Sequence, residues 1–243
     1  MLKQICIDAG IPFENNKIKI PDWVKHIKLD IGLSYNAPQS QVWLSKESEL
    51  MVFGFEPFEE SCKSILSPDN KKLEPFHGDV LEHRFINNQF FLIPVALSDK
   101  CGMKTFYVTE GDQGCSSLYK PREWFSKIKQ EVKVPVFTLN DFFELLPLDK
   151  IPYIDYIKTD TQGADLNIIK GGGNYISEKV VFVTMEPDGP TYECDTENDP
   201  LRMVQYMESI GFLFIKHSNT GDPTFLNKKF YHLAESIFIH QRG

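Results

Sequence analysis

The stretch from residue 27 to residue 57 constrains the fold more than any other part of the sequence. Alternating apolar residues at 27–31 predict a short strand that runs into Gly32, and a helix can form at 40–46. A second apolar run at 51–55 ends in a single acid, Glu56. Strand, glycine turn, helix, strand and acid in this order predict the first half of a nucleotide-binding βαβ unit. Glu56 follows the glycine at about the spacing at which a carboxylate meets ribose hydroxyls.

Length, charge and cysteine content limit the classes of protein to which the chain can belong. Its 243 residues, 42% hydrophobic and 25% charged, can bury the core of one α/β domain spanning 1–243. The net charge of −8 argues against nucleic acid or an anionic membrane as a partner. Five cysteines without CxxC spacing favour reduced thiols in a cytoplasmic protein. No apolar run is long enough for a signal sequence or a bilayer span, so a soluble protein is expected.

Further apolar runs predict more strands of the same sheet, with helices between several of them. The predicted strands lie at 90–97, 105–108, 134–139, 153–160 and 180–185. Helical spacing follows at 58–66, after Gly163 and at 201–210. The strand at 105–108 is expected to form a hairpin with the one before it, and Asn140 is expected to cap a helix at 141–146.

Two segments are predicted to lie outside this regular pattern. Residues 1–26 form a lead-in of mixed composition that contains two prolines, and its sequence pattern assigns it to neither helix nor strand. Residues 110–130 set Tyr119, Trp124 and Phe125 among glycines and charged residues. That composition is typical of a loop or lid over a pocket.

The strand pattern near the end of the sequence distinguishes between two kinds of nucleotide-binding fold. Strands are predicted at 212–215 and 236–240, and the connection between them shows no helical period. Parallel neighbours need a crossover, so the last strand is expected to run antiparallel. We therefore predict a doubly wound, Rossmann-like α/β fold with a seven-stranded, mostly parallel sheet and a reversed last strand. This is the class I fold of methyltransferases that use S-adenosylmethionine, whereas nicotinamide-binding domains normally stay parallel.

Four stretches of the sequence resemble the FkbM-type methyltransferases. They are LDIG at 29–32, FGFEP at 53–57, VALSD at 95–99 and IKTDTQGAD at 157–165. The last is similar to the family signature Lys-Ile-Asp-Val-Glu-Gly-x-Glu with conservative changes, and SSL at 116–118 also matches a family feature. The chain departs from the family in the turn after Gly32, where a second glycine is usual.

The resemblance implies S-adenosylmethionine as the cofactor and a set of residues that bind it. Glu56 would accept hydrogen bonds from both ribose hydroxyls, a charge-assisted pair. Val95 and Ala96 would lie against the adenine, although simple core packing explains Ala96 almost as well. The remaining predicted cofactor residues are Asp30, Gly32, Asn36 and Ser116. The alternative for Asp30 and Glu56 is that they are solvated acids at strand ends.

The reacting groups are expected at the ends of the fourth and fifth main strands, where ligands of a doubly wound sheet bind. Asp160, Glu186 and Asp188 fall there, and Lys158 shares a strand face with Asp160. We predict that Asp160 or Glu186 accepts a proton and that Lys158 steadies the acid or a substrate oxygen. A plain salt bridge is the alternative for Lys158. The three acids could instead hold Mg²⁺, an arrangement that we do not favour.

The predicted function is methyl transfer from S-adenosylmethionine to a hydroxyl of a sugar, a glycan or a secondary metabolite. The partner is then a small-molecule or glycan acceptor. A rival from another class is a non-catalytic module that keeps the cofactor fold and acts through a protein partner. A nicotinamide oxidoreductase is disfavoured because the sequence lacks GxGxxG.

Overall fold

In the part of the chain that the structure describes, the strands form one large sheet and two small ones. The computed structural model describes residues 1–70, 78–188, 190–194, 198–218 and 221–234. In chain order the strands are β1 (Phe13–Glu14), β2 (Lys17–Ile18), β3 (His26–Ile31), β4 (Leu50–Phe55), β5 (Phe90–Ile93), β6 (Ala96–Leu97), β7 (Gly102–Thr109), β8 (Ile128–Phe137), β9 (Ile154–Thr159), β10 (Val180–Met185), β11 (Phe212–His217) and β12 (Pro223–Asn227).

The helices are short, and most of them connect strands of the large sheet. They are α1 (Leu2–Asp8), α2 (Pro38–Leu44), α3 (Glu59–Leu66), α4 (Leu139–Phe143), α5 (Asp165–Lys170), α6 (Asn174–Lys179) and α7 (Pro200–Ser209). Single 3₁₀ turns lie at His83–Phe85 and Gln113–Cys115, and a longer 3₁₀ segment follows β12. Within the described ranges no helix has the length and apolar content that crossing a bilayer requires.

The large sheet confirms the prediction of seven mostly parallel strands. Its spatial order is β11-β12-β10-β9-β3-β4-β5, and β12 runs antiparallel to both of its neighbours. The reversed strand is therefore present, but the sequence pattern predicts an irregular connection where β12 lies. The strand predicted at 236–240 lies outside the described residues.

The strand predicted at 90–97 is wrong in its extent, because the chain changes sheets in the middle of it. Pro94 has no backbone N–H for a ladder and is exposed. Before Pro94, β5 pairs with β4; after it, β6 pairs with β8 in a three-stranded sheet of order β6-β8-β7. The predicted hairpin is also wrong in its partner, since β7 pairs antiparallel with β8.

The predicted lead-in has a defined structure. Helix α1 buries Leu2 and Cys6, and a hairpin joins β1 to β2. Its turn residues Asn15 and Asn16 both have positive φ, as the two-residue turn of a tight hairpin requires. Ile18 is buried and donates its backbone N–H to the Leu145 carbonyl at 2.8 Å, so the hairpin packs on the main domain.

Strand β3 is the point at which the order of the sheet reverses. The chain adds β4 and β5 on one side of β3, and β9 and β10 on the other. The strands around it are buried along nearly their whole length, as expected for parallel strands covered on both faces. A crevice opens outside the carboxyl ends of strands at such a reversal, so the fold itself marks the place for a ligand.

Helix α4 begins earlier than the sequence predicts. Its N-cap is Thr138, whose hydroxyl accepts a hydrogen bond from the Asp141 backbone N–H at 3.1 Å. The Asp141 carboxylate in turn accepts from the Thr138 N–H at 2.9 Å, which completes a capping box. The predicted cap, Asn140, instead lies inside the helix and donates its side-chain amide to Glu144.

We expect Thr138→Ala to lower the free energy of unfolding by about 1 kcal/mol because it removes this cap. In a chain of this length the melting temperature should fall by about 2–4 °C. Asn140→Ala is the matched control, since it removes only an exposed contact with Glu144 and should change the melting temperature less. A larger loss in Asn140→Ala than in Thr138→Ala would contradict the assignment of the cap.

Candidate functional site

A cavity lies at the carboxyl ends of β3 and β4, where the sheet order reverses. The space between its lining atoms is about 550 Å³ when the part open to solvent is included. Residues from six segments of the chain line it: Ile31, Gly32, Ser34, Phe55, Glu56, Pro57, Phe58, Ser61, Val95, Ala96, Leu97, Phe106, Gln113, Gly114, Ser116, Leu118, Asp160, Thr161 and Ala164.

Gly32 lets the ends of two strands approach each other beside the cavity. Its φ is +82°, and a Cβ atom at this position would lie 1.8 Å from the carbonyl oxygen of Asp160. The Asp160 N–H donates to the Ile31 carbonyl at 2.9 Å, so the segment after β9 is held against the end of β3. No side chain can be placed at residue 32 without separating these two segments.

Glu56 presents a buried carboxyl to the cavity. Its side chain follows β4, and Oε1 accepts a hydrogen bond from the Phe58 N–H at 2.9 Å. Burial raises the pKa of Glu56 to about 8, against the opposing effect of hydrogen bonds from the backbone of Phe58, Leu33 and Ser34. An acid in this state can become a strong hydrogen-bond acceptor once a ligand supplies hydroxyl donors.

The rest of the lining fits the adenosyl group of the predicted cofactor. The Ser34 hydroxyl oxygen is buried and has no hydrogen-bond partner within the described part of the chain. Buried polar groups without partners are uncommon, so Ser34 is available to a polar ligand atom. Phe58 and Phe106 stack with ring centroids 6.4 Å apart, and with Val95 and Ala96 they provide an apolar wall for a flat ring.

Asp160 and Lys158 form an ion pair at the same edge of the sheet. The Lys158 ammonium lies 3.1 Å from Asp160 Oδ2 and 3.8 Å from Asp30 Oδ1. Burial opposes the charge of Asp160, but Lys158 and hydrogen bonds from Glu186 and Gln162 outweigh it and hold the pKa of Asp160 below its usual range. The Asp160 side chain keeps 39% of its surface exposed, so a ligand can still reach it.

Glu186 is the neutral partner of Asp160. Burial, followed by the negative charge of Asp160, raises the pKa of Glu186 far above its usual range. A hydrogen bond joins the two carboxyls. Two carboxylates in contact repel each other, so ionising both carboxyls is unfavourable. Asp160 is therefore the ionised member of the pair, and Glu186 holds the proton.

The other predicted site residues lie away from the cavity. Asp30 is fully buried below it and accepts a hydrogen bond from the Ser40 hydroxyl at 2.6 Å. Asn36 is also buried, and its carbonyl accepts from the Leu81 N–H. Asp188 lies against Cys194, with its Oδ2 atom 3.7 Å from the thiol sulfur. Of the described side chains, no three His, Cys, Asp or Glu are grouped so that they could hold a metal ion.

The predicted lid covers part of the cavity, although its end belongs to a strand. Gln113, Gly114, Ser116 and Leu118 line the cavity from the segment between β7 and β8. Residues 128–130, included in the predicted lid, are the first residues of β8. The loop is anchored because Ser117 exchanges two backbone hydrogen bonds with Tyr107.

Several residues of the site are not predicted from the sequence. Ser34 lies two residues after Gly32, and its positive φ of 55° is unusual for a residue with a side chain. Gln162 lies inside the quoted signature stretch, where the family has glutamate, but its role depends on distant partners. Tyr192 carries no sequence signal, yet its hydroxyl reaches Gln162 and the Cys115 carbonyl.

A comparison with protein-family models identifies the family of the chain. A family model described as "Methyltransferase FkbM domain" matches residues 39–214, which is more than half of the chain. A search of curated proteins found no relative. The matched range includes Glu56, Asp160 and Glu186, and it ends within β11.

The buried carboxyl of Glu56 should make the protein less stable as pH rises. The folded protein keeps the proton up to about pH 8, whereas the unfolded chain releases it near pH 4.5. Stability is therefore lost between these values, because the folded state binds more protons than the unfolded state. We expect Glu56→Gln to melt several degrees higher than the wild type at pH 8, with the difference shrinking toward pH 5.

Melting curves from pH 5 to pH 8.5 measure this difference. Glu60→Gln is the control, because it makes the same substitution at an exposed acid on the neighbouring helix. A constant difference between wild type and Glu56→Gln over the whole range would contradict a raised pKa at Glu56.

Proposed function

The chain belongs to the FkbM methyltransferase family, and from this premise we propose that it transfers a methyl group from S-adenosylmethionine to a hydroxyl oxygen. The acceptor that we propose is a sugar, a glycan or a secondary metabolite. One observation carries the proposal: the buried acid Glu56 and the ionised acid Asp160 line the same cavity at the reversal of the sheet. The strand order also supports a doubly wound, Rossmann-like winding in a single domain. Five free cysteines support a cytoplasmic location.

In this proposal the cavity binds the cofactor from the Glu56 end toward Asp160. Glu56 accepts hydrogen bonds from the two ribose hydroxyls, and Val95 and Ala96 lie against the adenine. Gly32, Ser34 and Ser116 contact the remaining polar part. Asp30 and Asn36 act from below by supporting the turn after β3, since neither lines the cavity.

Asp160 is the group that we propose receives the proton of the acceptor hydroxyl. When bound, S-adenosylmethionine supplies a methyl group on a positively charged sulfur that leaves as a neutral thioether. As the new carbon–oxygen bond forms, the hydroxyl oxygen becomes strongly acidic, so even a carboxylate with a lowered pKa can accept its proton. Asp160 is exposed enough to receive that hydrogen bond, and Lys158 keeps it ionised.

Glu186 is less suited than Asp160 to accept the proton, although the sequence alone does not distinguish the two acids. It already carries a proton at neutral pH because burial and the charge of Asp160 raise its pKa. Its proposed task is to hold Asp160 by the hydrogen bond that joins the two carboxyls. Mg²⁺ is not part of the proposal, because the carboxylate repulsion that a cation would relieve is here relieved by a proton and by Lys158.

Isothermal titration calorimetry tests the cofactor. The wild type should bind S-adenosylhomocysteine and S-adenosylmethionine but not NAD. Glu56→Ala should weaken the binding of S-adenosylhomocysteine by about 1.5–3 kcal/mol, or roughly 10- to 150-fold, because it removes hydrogen bonds to a charged group. Glu60→Ala is the control. Unchanged affinity in Glu56→Ala would contradict the assignment of Glu56 to the ribose hydroxyls. Tighter binding of NAD than of S-adenosylmethionine would contradict the proposed cofactor.

Transfer of a radioactive methyl group tests the reaction. The protein is incubated with methyl-labelled S-adenosylmethionine and the small-molecule and glycan fraction of its source cells. Asp160→Asn should reduce the transfer rate about 10²- to 10⁴-fold, which is far more than it changes the affinity for S-adenosylhomocysteine, because an amide keeps the shape of the side chain but cannot accept the proton. Labelling that persists at the wild-type rate in Asp160→Asn would exclude Asp160 as the proton acceptor. Cofactor binding without any labelling by the wild type would favour the non-catalytic module.

A further inference from the structure

Gln162 has a backbone conformation that is uncommon for a residue with a side chain. Its φ is +57°, in the left-handed region that favours glycine, and Gly163 follows with φ of +106°. A residue with a side chain persists in that region when its surroundings hold it there. Glycine at 162 would adopt the same backbone without strain, so the chain keeps a glutamine for what its amide group contacts.

The amide nitrogen of Gln162 bridges the two carboxyls of the site. Its Nε2 atom donates to Asp160 Oδ1 at 3.0 Å and to Glu186 Oε2 at 2.5 Å. An amide has two hydrogens on its nitrogen, one for each carboxyl. Glutamate, the residue of the family signature at this position, has none at neutral pH and would add a third negative group. The amide is therefore the chemical group that this pair of acids requires.

The amide oxygen of Gln162 points the opposite way, toward the segments that cover the site. The Tyr192 hydroxyl lies 3.0 Å from Gln162 Oε1 and 2.7 Å from the Cys115 carbonyl, at the edge of the predicted lid. The Ser117 hydroxyl donates to the Gln162 backbone carbonyl at 2.6 Å. A flipped amide would set its oxygen against the Asp160 carboxylate, so these neighbours fix its orientation.

Asp160 is thus held from both sides. Lys158 binds Oδ2, and Gln162 binds Oδ1. Asp160 lines the cavity, whereas Gln162 does not. A change at Gln162 can therefore move the reacting carboxylate without removing any group from the cofactor pocket.

We infer that Gln162 is a positioning residue, which sets the direction of the Asp160 carboxylate by bridging it to Glu186 and is itself oriented by Tyr192. The inference rests on the proposed function, since it assigns to Gln162 a role in the reaction that Asp160 serves. Misplacing a reacting group by a small distance costs rate much more than binding.

Carbon-13 NMR of the full chain labelled at aspartate and glutamate carboxyls tests the inference at fixed pH. Asp160→Asn assigns the Asp160 signal. Gln162→Met keeps the length of the side chain and removes both hydrogens, so the Asp160 signal should shift and broaden. Tyr192→Phe should shift it in the same direction by a smaller amount. Gln205→Met is the control, because Gln205 is exposed on helix α7 and no hydrogen bond links it to either carboxyl in the described part of the structure.

Binding and transfer assays on the same variants separate positioning from general damage. In Gln162→Met the affinity for S-adenosylhomocysteine should stay within about twofold, while the methyl-transfer rate falls about 10- to 100-fold. An unchanged Asp160 signal in Gln162→Met would overturn the inference, and so would a loss of cofactor affinity equal to the loss of rate. If Gln162→Met does not fold, Tyr192→Phe tests the inference by the same two measurements, the shift of the Asp160 signal and the loss of rate relative to the loss of cofactor affinity. A wild type that binds no S-adenosylhomocysteine defeats the proposed function, and the NMR shift still decides whether Gln162 orients Asp160.

Discussion

The close approach of β3 to the segment after β9 is the constraint on which the site depends. Gly32 has no side chain to separate them, and the Asp160 N–H is bonded to the Ile31 carbonyl. Strand β4 pairs in parallel with one side of β3, and β9 pairs in parallel with the other side. Glu56 follows β4 and Asp160 follows β9, so the two acids reach one cavity from opposite sides of β3. The distance between the two acids is therefore set by the sheet, and the loops only complete the lining.

Burying so many acids at one edge of the sheet is costly, and Lys158 offsets much of that cost. Its ammonium lies between Asp30 and Asp160 and also contacts the Gly32 carbonyl at 3.4 Å. Burial raises the pKa of Asp30, and the charge of Lys158 and the hydrogen bonds from Ser40 oppose that effect. Removing one member of such a buried group leaves the others uncompensated. Asp30 lies two residues before Gly32 and does not line the cavity, so its part in this arrangement is to pair with Lys158.

Local patterns in the sequence predict the features that short segments determine. The strands β3 and β4 and the acid after β4 follow from apolar periodicity and one glycine, and the structure has them where the pattern predicts. Pairing between strands that are far apart in sequence does not follow from local patterns. The sequence therefore does not predict the change of sheet at Pro94 or the position of β12. Gln162 shows the same limit, because its partners lie 24 and 30 residues away in the chain. Asn15 and Asn16 could have predicted the first hairpin.

The three acids of the site differ in protonation because their neighbours differ. Glu56 has only backbone donors in an apolar surrounding, so its pKa rises to about 8 and it can gain charge when a ligand supplies donors. Asp160 has a cation and an amide, so it stays ionised. Glu186 has that ionised acid as its neighbour, so it stays neutral. Identical functional groups can thus serve as a hydrogen-bond acceptor for a ligand, a proton acceptor and a hydrogen-bond donor on one sheet edge. The division of roles follows from burial and partners, which is why a sequence that reveals the acids does not reveal which of them reacts.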